Sequence, residues 1–297
     1  MKTLALIGVG KWGRNIVSTL EAIADAKLKY LCARNVESLA LYGEKYEKMS
    51  DWHELLKKKD LAAVLIATPP STHAGIATPF LEHGIPVFVE KPMVLNVAEA
   101  EKLRTLVKQS GKVFMVGYQY LFNDNVRYVK KEIEKGFFGK ILLVKSEHLL
   151  SLSRPDVDIF GDAGPHPLSV SQYLFDPKTL ISAEGKRQRD SVSIKVRFEN
   201  APTLEIIASR FGQTKTRKIT VTGEKATAVL DETMKKNKLA ILKNGKTFYP
   251  KIKVKEPLRN EMEHCLHCIQ TGNTPLTNVD FGYRITEWLD TISKKLR

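Results

Sequence analysis

Thr3-Leu4-Ala5-Leu6-Ile7-Gly8-Val9-Gly10-Lys11-Trp12-Gly13 begins with five residues patterned as a buried strand, passes through a glycine turn and enters a helical repeat. The helix is marked by Trp12, Ile16, Leu20 and Ile23, whose spacing puts them on one face over 12–23. A lone GxGxxG says little, but between a strand and a helix at the start of an alternating domain it reads as a dinucleotide cradle. Gly8 permits the tight turn, Gly10 lets the main chain approach a pyrophosphate, and Gly13 allows close helix–strand packing. The unpaired N–H groups at the helix start, around Val9, Lys11 and Trp12, then face the anion. The alternative is a glycine-rich turn that holds no ligand.

About 20 residues beyond such a turn, an NAD site carries an Asp or Glu for the ribose hydroxyls. Counting from Gly13 reaches Ala33, flanked by Cys32 and Arg34. A carboxylate there would repel a 2′-phosphate, whereas a guanidinium binds one through a fork of hydrogen bonds. The sequence therefore predicts NADP(H) in preference to NAD(H). The alternative is that Arg34 is simply solvated and the site accepts either cofactor.

Outward from this turn, strands are predicted over 3–7, 29–33, 62–67, 86–89 and 113–117, with helices over 12–23, 36–46, 72–83 and 97–109. Strands alternating with helices of this length indicate a parallel sheet covered on both faces. The period changes near residue 120. A helix over 125–135 and a strand over 141–148 precede a Pro/Asp/Gly-rich stretch, 153–167, and a short apolar helix ending near 175. Strands follow over 191–198, 203–209, 216–222, 225–230 and 239–242, and Asn244-Gly245 marks a hairpin into 246–249. Helices over 258–271 and 280–296 close the chain. The predicted fold is α/β: a Rossmann doubly wound parallel sheet over 1–120, and over 121–297 an α+β domain with a large, mostly antiparallel open sheet. The C-terminal helices are free to pack back on the first domain.

Of the 297 residues, 43% are hydrophobic and 27% charged, which excludes a disordered tail, a collagen-like repeat and a coiled coil. Lys and Arg outnumber Asp and Glu 47 to 33, a formal charge of +14. The basic residues lie in short, dispersed groups such as 57–59, 130–131 and 235–236 with no interleaved aromatics, so no nucleic-acid partner is expected. The charge suits attraction of anionic small molecules. Three cysteines are too few for a disulfide framework and indicate a reducing compartment. The longest apolar run beyond the start, 62–67, is far short of the roughly 20 residues that cross a bilayer. A cytoplasmic protein without a membrane partner is expected.

Three further motifs accompany the glycine turn: Thr68-Pro69-Pro70-Ser71-Thr72-His73, Glu90-Lys91-Pro92 and Asp162-Ala163-Gly164-Pro165-His166. Their order and spacing, with Pro257-Leu258-Arg259-Asn260-Glu261 and Thr271-Gly272-Asn273 near the end, resemble the glucose–fructose oxidoreductase / inositol 2-dehydrogenase (Gfo/Idh/MocA) family over essentially the whole chain. The resemblance implies hydride exchange between a nicotinamide and a carbinol carbon of a sugar, polyol or nucleotide-linked sugar, by a homodimer or homotetramer. It implies cofactor contacts from Thr68, Pro69, His73, Glu90, Lys91 and Gln119, and substrate contacts from Lys91, Tyr118, Asp162 and His166. Lys91, Asp162 and His166 become the catalytic set. Two departures bear on substrate contacts: Pro167 follows the histidine where the family often has an acid nearby, and Leu121 stands where an arginine is frequent.

These residue types suit the chemistry. Oxidation of a carbinol requires removal of its hydroxyl proton, and imidazole is the side chain best tuned for that near neutrality. A nearby ammonium stabilises the developing alkoxide. Asp162 and His166, four apart, share one face if that segment is helical. Without the other motifs, the histidine would read as a turn residue and Glu90-Lys91 as a surface ion pair. Two rivals remain: an enzyme that keeps its nicotinamide and uses transient oxidation to drive elimination or hydrolysis, and a non-catalytic dinucleotide sensor or partner subunit. Cys265-Leu266-His267-Cys268, after His264, has the look of a metal knuckle. Leu258, Met262, Cys265 and Ile269 nevertheless form one helical apolar face, and a structural zinc site wants four converging ligands, so no metal is expected.

Overall fold

The computed structural model describes residues 3–149 and 158–296. Of the Pro/Asp/Gly-rich stretch, 153–157 lies outside the described residues. The chain forms two compact units, one of 1–119 with 256–287 and one of 120–255 with 288–297.

The first unit runs β1 (Thr3–Ile7), α1 (Lys11–Glu21), β2 (Lys27–Cys32), α2 (Glu37–Ala40), β3 (Glu47–Met49), β4 (Leu61–Ile66), α3 (His73–Glu82), β5 (Val87–Glu90), α4 (Val97–Ser110) and β6 (Phe114–Gly117). The six strands are parallel in the order β3-β2-β1-β4-β5-β6. Strand order reverses between β1 and β4. Right-handed crossovers on either side of that reversal put the helices on opposite faces, so the strands read as continuous apolar runs. β1 is buried at all five positions. Ligands of such sheets bind at the carboxyl ends of the strands beside the reversal.

The helix expected over 36–46 is shortened to the single turn of α2. Leu39 is enclosed, but Val36 and Leu41 on either side of the turn are each 64% exposed. Asn35 accepts from the Glu37 N–H at 3.0 Å and starts the turn. The chain then bends so that the Tyr46 hydroxyl donates to Glu21 and Glu47–Met49 pairs with β2 as an unanticipated edge strand.

The second unit contains α5 (Asp124–Glu134), β7 (Ile141–Leu149), α6 (Ile159–Ala163), α7 (Pro165–Phe175), β8 (Leu180–Arg187), β9 (Ser191–Phe198), β10 (Thr203–Ser209), β11 (Thr216–Gly223), β12 (Thr227–Asp231), β13 (Leu239–Lys243) and β14 (Lys246–Phe248). Its eight strands follow the order β14-β13-β12-β11-β7-β10-β9-β8, antiparallel except for the parallel pair β7–β10. Strict alternation of buried positions with exposed or half-buried ones in β9 and β10 turns one face towards the helices. β8 escaped the sequence reading because it is an edge strand in which Ala183 alone is buried. α6 was hidden in the Pro/Asp/Gly-rich stretch; Asp158 caps it by accepting from the Gly161 N–H at 2.7 Å.

The chain returns to the first unit through α8 (Pro257–Thr271), which packs on α1, and the start of α9 (Val279–Lys295). Thr277 fastens this return: its hydroxyl donates to the Val116 carbonyl at 2.7 Å, and its own carbonyl accepts from the Val116 N–H at 2.8 Å.

Candidate active site

In the first unit, Gly8 has φ +96°, and a Cβ there would lie 2.7 Å from the main chain of Ala67. Gly13 has even less room, since its Cβ would fall 2.0 Å from the Gly8 carbonyl oxygen. Gly10 is the opposite case: a Cβ would meet nothing within 4 Å. A tight turn thus locks the helix start against β1 and leaves open space over the middle glycine. α1 has no side-chain cap and no acid in its first turn, so its N–H groups and positive dipole end are available to an anion. Gly10 and Lys11 are exposed, and Val9 is buried. The cradle fits a dinucleotide pyrophosphate.

The neighbouring segments hold the cradle's rim. Trp12 donates its indole N–H to Glu90, and the second Glu90 oxygen accepts from the Lys91 N–H at 3.1 Å. Glu90 is 3% exposed at the end of β5, while Lys91, in the following turn, is half-buried. Thr68 follows β4 and accepts from the Thr72 hydroxyl at 2.7 Å. Pro69 is exposed and Gln119 half-buried. Arg34 is exposed two residues past β2.

Two expected contacts differ in kind. His73 is fully enclosed, with Nε2 3.0 Å from the Thr68 carbonyl oxygen and Nδ1 3.0 Å from that of Pro92. It is a strut joining the Thr68 loop to the turn after Lys91, because both ring nitrogens are used inside the protein. Tyr118, expected on the substrate, is 1% exposed and packs on Phe281 at 5.4 Å between ring centroids. Burial raises its phenol pKa. Tyr118 belongs to the core, where the apolar run through β6 places it.

In the second unit, Asp162 and His166 lie one helical turn apart, since Gly164 continues the right-handed helical backbone between α6 and α7. Both are half-buried. The His166 ring lies 5.1 Å from that of Tyr120 and 5.7 Å from that of His148. The sequence reading missed both neighbours. Inward alternation of Val144, Ser146 and His148 along β7 was the available signal, because a histidine on a core face needs polar company.

Elsewhere, His264 accepts from the Leu276 N–H at 3.0 Å through Nε2, which lies 3.6 Å from Cys268 Sγ. Cys265 and Cys268 are buried in α8, and burial raises both thiol pKa values. Among the described residues no group of three or more His, Cys, Asp and Glu could hold a metal ion.

Residues 2–118 match the family model described as an oxidoreductase family with an NAD-binding Rossmann fold, and residues 126–229 match the GFO/IDH/MocA C-terminal domain. The chain belongs to the Gfo/Idh/MocA family. Its first domain is that of an oxidoreductase family with an NAD-binding Rossmann fold, which supports a nicotinamide cofactor. It is 25% identical to scyllo-inositol 2-dehydrogenase (NAD(+)) of Bacillus subtilis, across 93% of this chain and 89% of that protein. It is 30% identical to 2,7-anhydro-N-acetylneuraminate hydratase of Mediterraneibacter gnavus, across 49% of this chain and 40% of that protein. In fold it is similar to the aldose-aldose oxidoreductase of Caulobacter crescentus solved with glycerol (TM-score 0.88, 21% identity, 99% of this chain and 97% of that one). Among the described residues no helix is long and apolar enough to cross a membrane.

Proposed function

We propose that the chain moves a hydride between NADP(H) and a carbinol or ketone carbon of a sugar, polyol or nucleotide-linked sugar. The observation that carries this reading is the glycine turn, closed to a Cβ at Gly8 and Gly13 and open at Gly10, with exposed Arg34 and no acid at the end of β2. Val9, Lys11, Trp12, Thr68, Pro69, Glu90 and Gln119 complete the dinucleotide contacts. When bound, the nicotinamide supplies the hydride donor or acceptor. His166 takes the hydroxyl proton on oxidation and returns it on reduction. The Lys91 ammonium stabilises negative charge on the reacting oxygen, and Asp162 orients the imidazole from one helical turn away. The reading includes a first domain ending near residue 120, a homodimer or homotetramer paired through the open sheet, and a cytoplasmic setting consistent with three buried free thiols.

Turnover against a panel of inositols, aldoses and nucleotide sugars, followed by nicotinamide absorbance, tests it. Lys91→Ala and His166→Ala should each lower kcat by about 10²–10⁴-fold while dinucleotide binding persists. Unchanged turnover in both variants overturns the assignment. The hydratase among the relatives favours a second reading, in which oxidation is transient and the nicotinamide is restored in each cycle. Product formation without net change in absorbance would select it.

A further inference from the structure

Tyr120 and His148 have no part in the reading above, yet both pack against the imidazole that does. Tyr120 stands in the 3-10 turn Gln119–Phe122, and His148 stands near the end of β7 on its buried face, 8% exposed. The Tyr120 hydroxyl lies 3.3 Å from His148 Nε2. Their rings meet that of His166 at 58° and 76°. His166 is therefore walled by a phenol and a second imidazole that are themselves linked.

We infer that Tyr120 and His148 are positioning residues for His166, with the Tyr120 hydroxyl anchoring His148 and the two imidazoles carrying one positive charge between them rather than two. Two imidazolium rings at this spacing repel, and a largely enclosed ring gives up hydration on charging, so protonation of either resists protonation of the other. Tyr120 takes no charge, because burial raises its phenol pKa. Charged groups at this place, among the described residues, include Arg217, which pairs with His148 in register from β11 and acts on Tyr120, Glu232, whose negative charge also acts on Tyr120, and Asp162, one turn before His166. On β10 the register partner of His148 is Ala208, which is neutral. With one charge shared, His166 can give or take a proton while His148 buffers the change, and the two rings fix its orientation.

The inference deepens the role given to His166 and rests on that reading, but its test needs no substrate. In the full chain labelled at histidine, the imidazole resonances are followed by NMR across the ordinary histidine value of about 6.5. In the wild type, each ring's resonance should respond to the titration of the other, and the second proton should enter late. His148→Gln and His166→Gln should each leave one ring that titrates alone. The ring with the lower wild-type midpoint should rise by about one pH unit when its neighbour is removed. Tyr120→Phe should alter the His148 ring-nitrogen shifts and weaken the coupling. Midpoints that stay in place whichever ring is removed overturn the shared charge, and Tyr120→Phe spectra matching wild type overturn the anchor. If a variant fails to fold, two independent single-step titrations in the wild type alone overturn the inference. Dinucleotide binding, measured alongside, separates the claims. Its absence would defeat the proposed function and leave the titration result standing.

Discussion

The indole N–H of Trp12 donates to the carboxylate of Glu90, tying the helix of the glycine turn to the strand end that carries Lys91. Glu90 also receives the Lys91 N–H, so one carboxylate registers the cradle against the turn holding the ammonium. Trp12→Phe keeps a ring and deletes the donor. It should weaken dinucleotide binding about fivefold to tenfold and cost about 1.5–3 kcal/mol of stability, the worth of a hydrogen bond to a charged group. Titration calorimetry and thermal melts check both numbers.

Gly10 and Gly13 should separate binding from folding. Gly13→Ala forces a methyl into the Gly8 carbonyl and should destabilise the first unit by about 3 kcal/mol or more. Gly10→Ala meets open space, so its cost should stay within about 1 kcal/mol. Its methyl stands over the turn where a pyrophosphate would lie, and dinucleotide affinity should fall at least about tenfold. Melts and binding isotherms on the two variants give opposite orderings if the cradle is as described.

Glu261 should make stability depend on pH. It is fully enclosed in α8, and neither carboxyl oxygen has a hydrogen-bond partner. Burial, and then the negative charge of Glu90, holds its pKa well above the ordinary 4.5. The folded chain therefore binds this proton more tightly than the unfolded chain. The stability contributed is full below the ordinary value and is lost as pH rises towards the folded one, at about 1.4 kcal/mol per pH unit. Glu261→Gln should remove that slope and raise Tm more at pH 7 than at pH 5. Denaturant unfolding of both proteins across that window is the check, and parallel curves would contradict it.

His73 should behave as a strut. His73→Leu removes the ring that lies within hydrogen-bond distance of the Thr68 and Pro92 carbonyls, and should lower stability by about 1–3 kcal/mol. Because it braces the loop after β4 and the turn after β5, both given cofactor contacts in the proposed function, the same change should also weaken dinucleotide binding. A stability loss with unchanged affinity would confine His73 to the core.

Legibility in the sequence followed periodicity. β9 and β10 alternate without interruption, and their ends agree with the sequence reading residue for residue. The glycine turn was legible because each glycine answers a separate steric demand at its own position. Edge elements were not: β3 and β8 bury one residue each, so neither carries a periodic signal. Arg34 could be located by counting, whereas the company of His166 could not. Tyr120, His148 and His166 come from a turn, a strand and a helix, and only the sheet's register and the packing of α7 bring them together. Tyr118 shows the converse, since a motif position suggested a contact and packing against Phe281 took the ring into the core.

Every step of the proposed function depends on a nicotinamide dinucleotide held by the glycine turn, with Arg34 against its 2′-phosphate. Calorimetric binding of NADPH and NADH to wild type and Arg34→Asp tests it most directly. NADPH should bind more tightly than NADH, with the preference lost or reversed in Arg34→Asp and NADH binding kept. Equal or weaker NADPH binding in the wild type would contradict the role of Arg34. Failure to bind either dinucleotide would remove the basis of the proposed function.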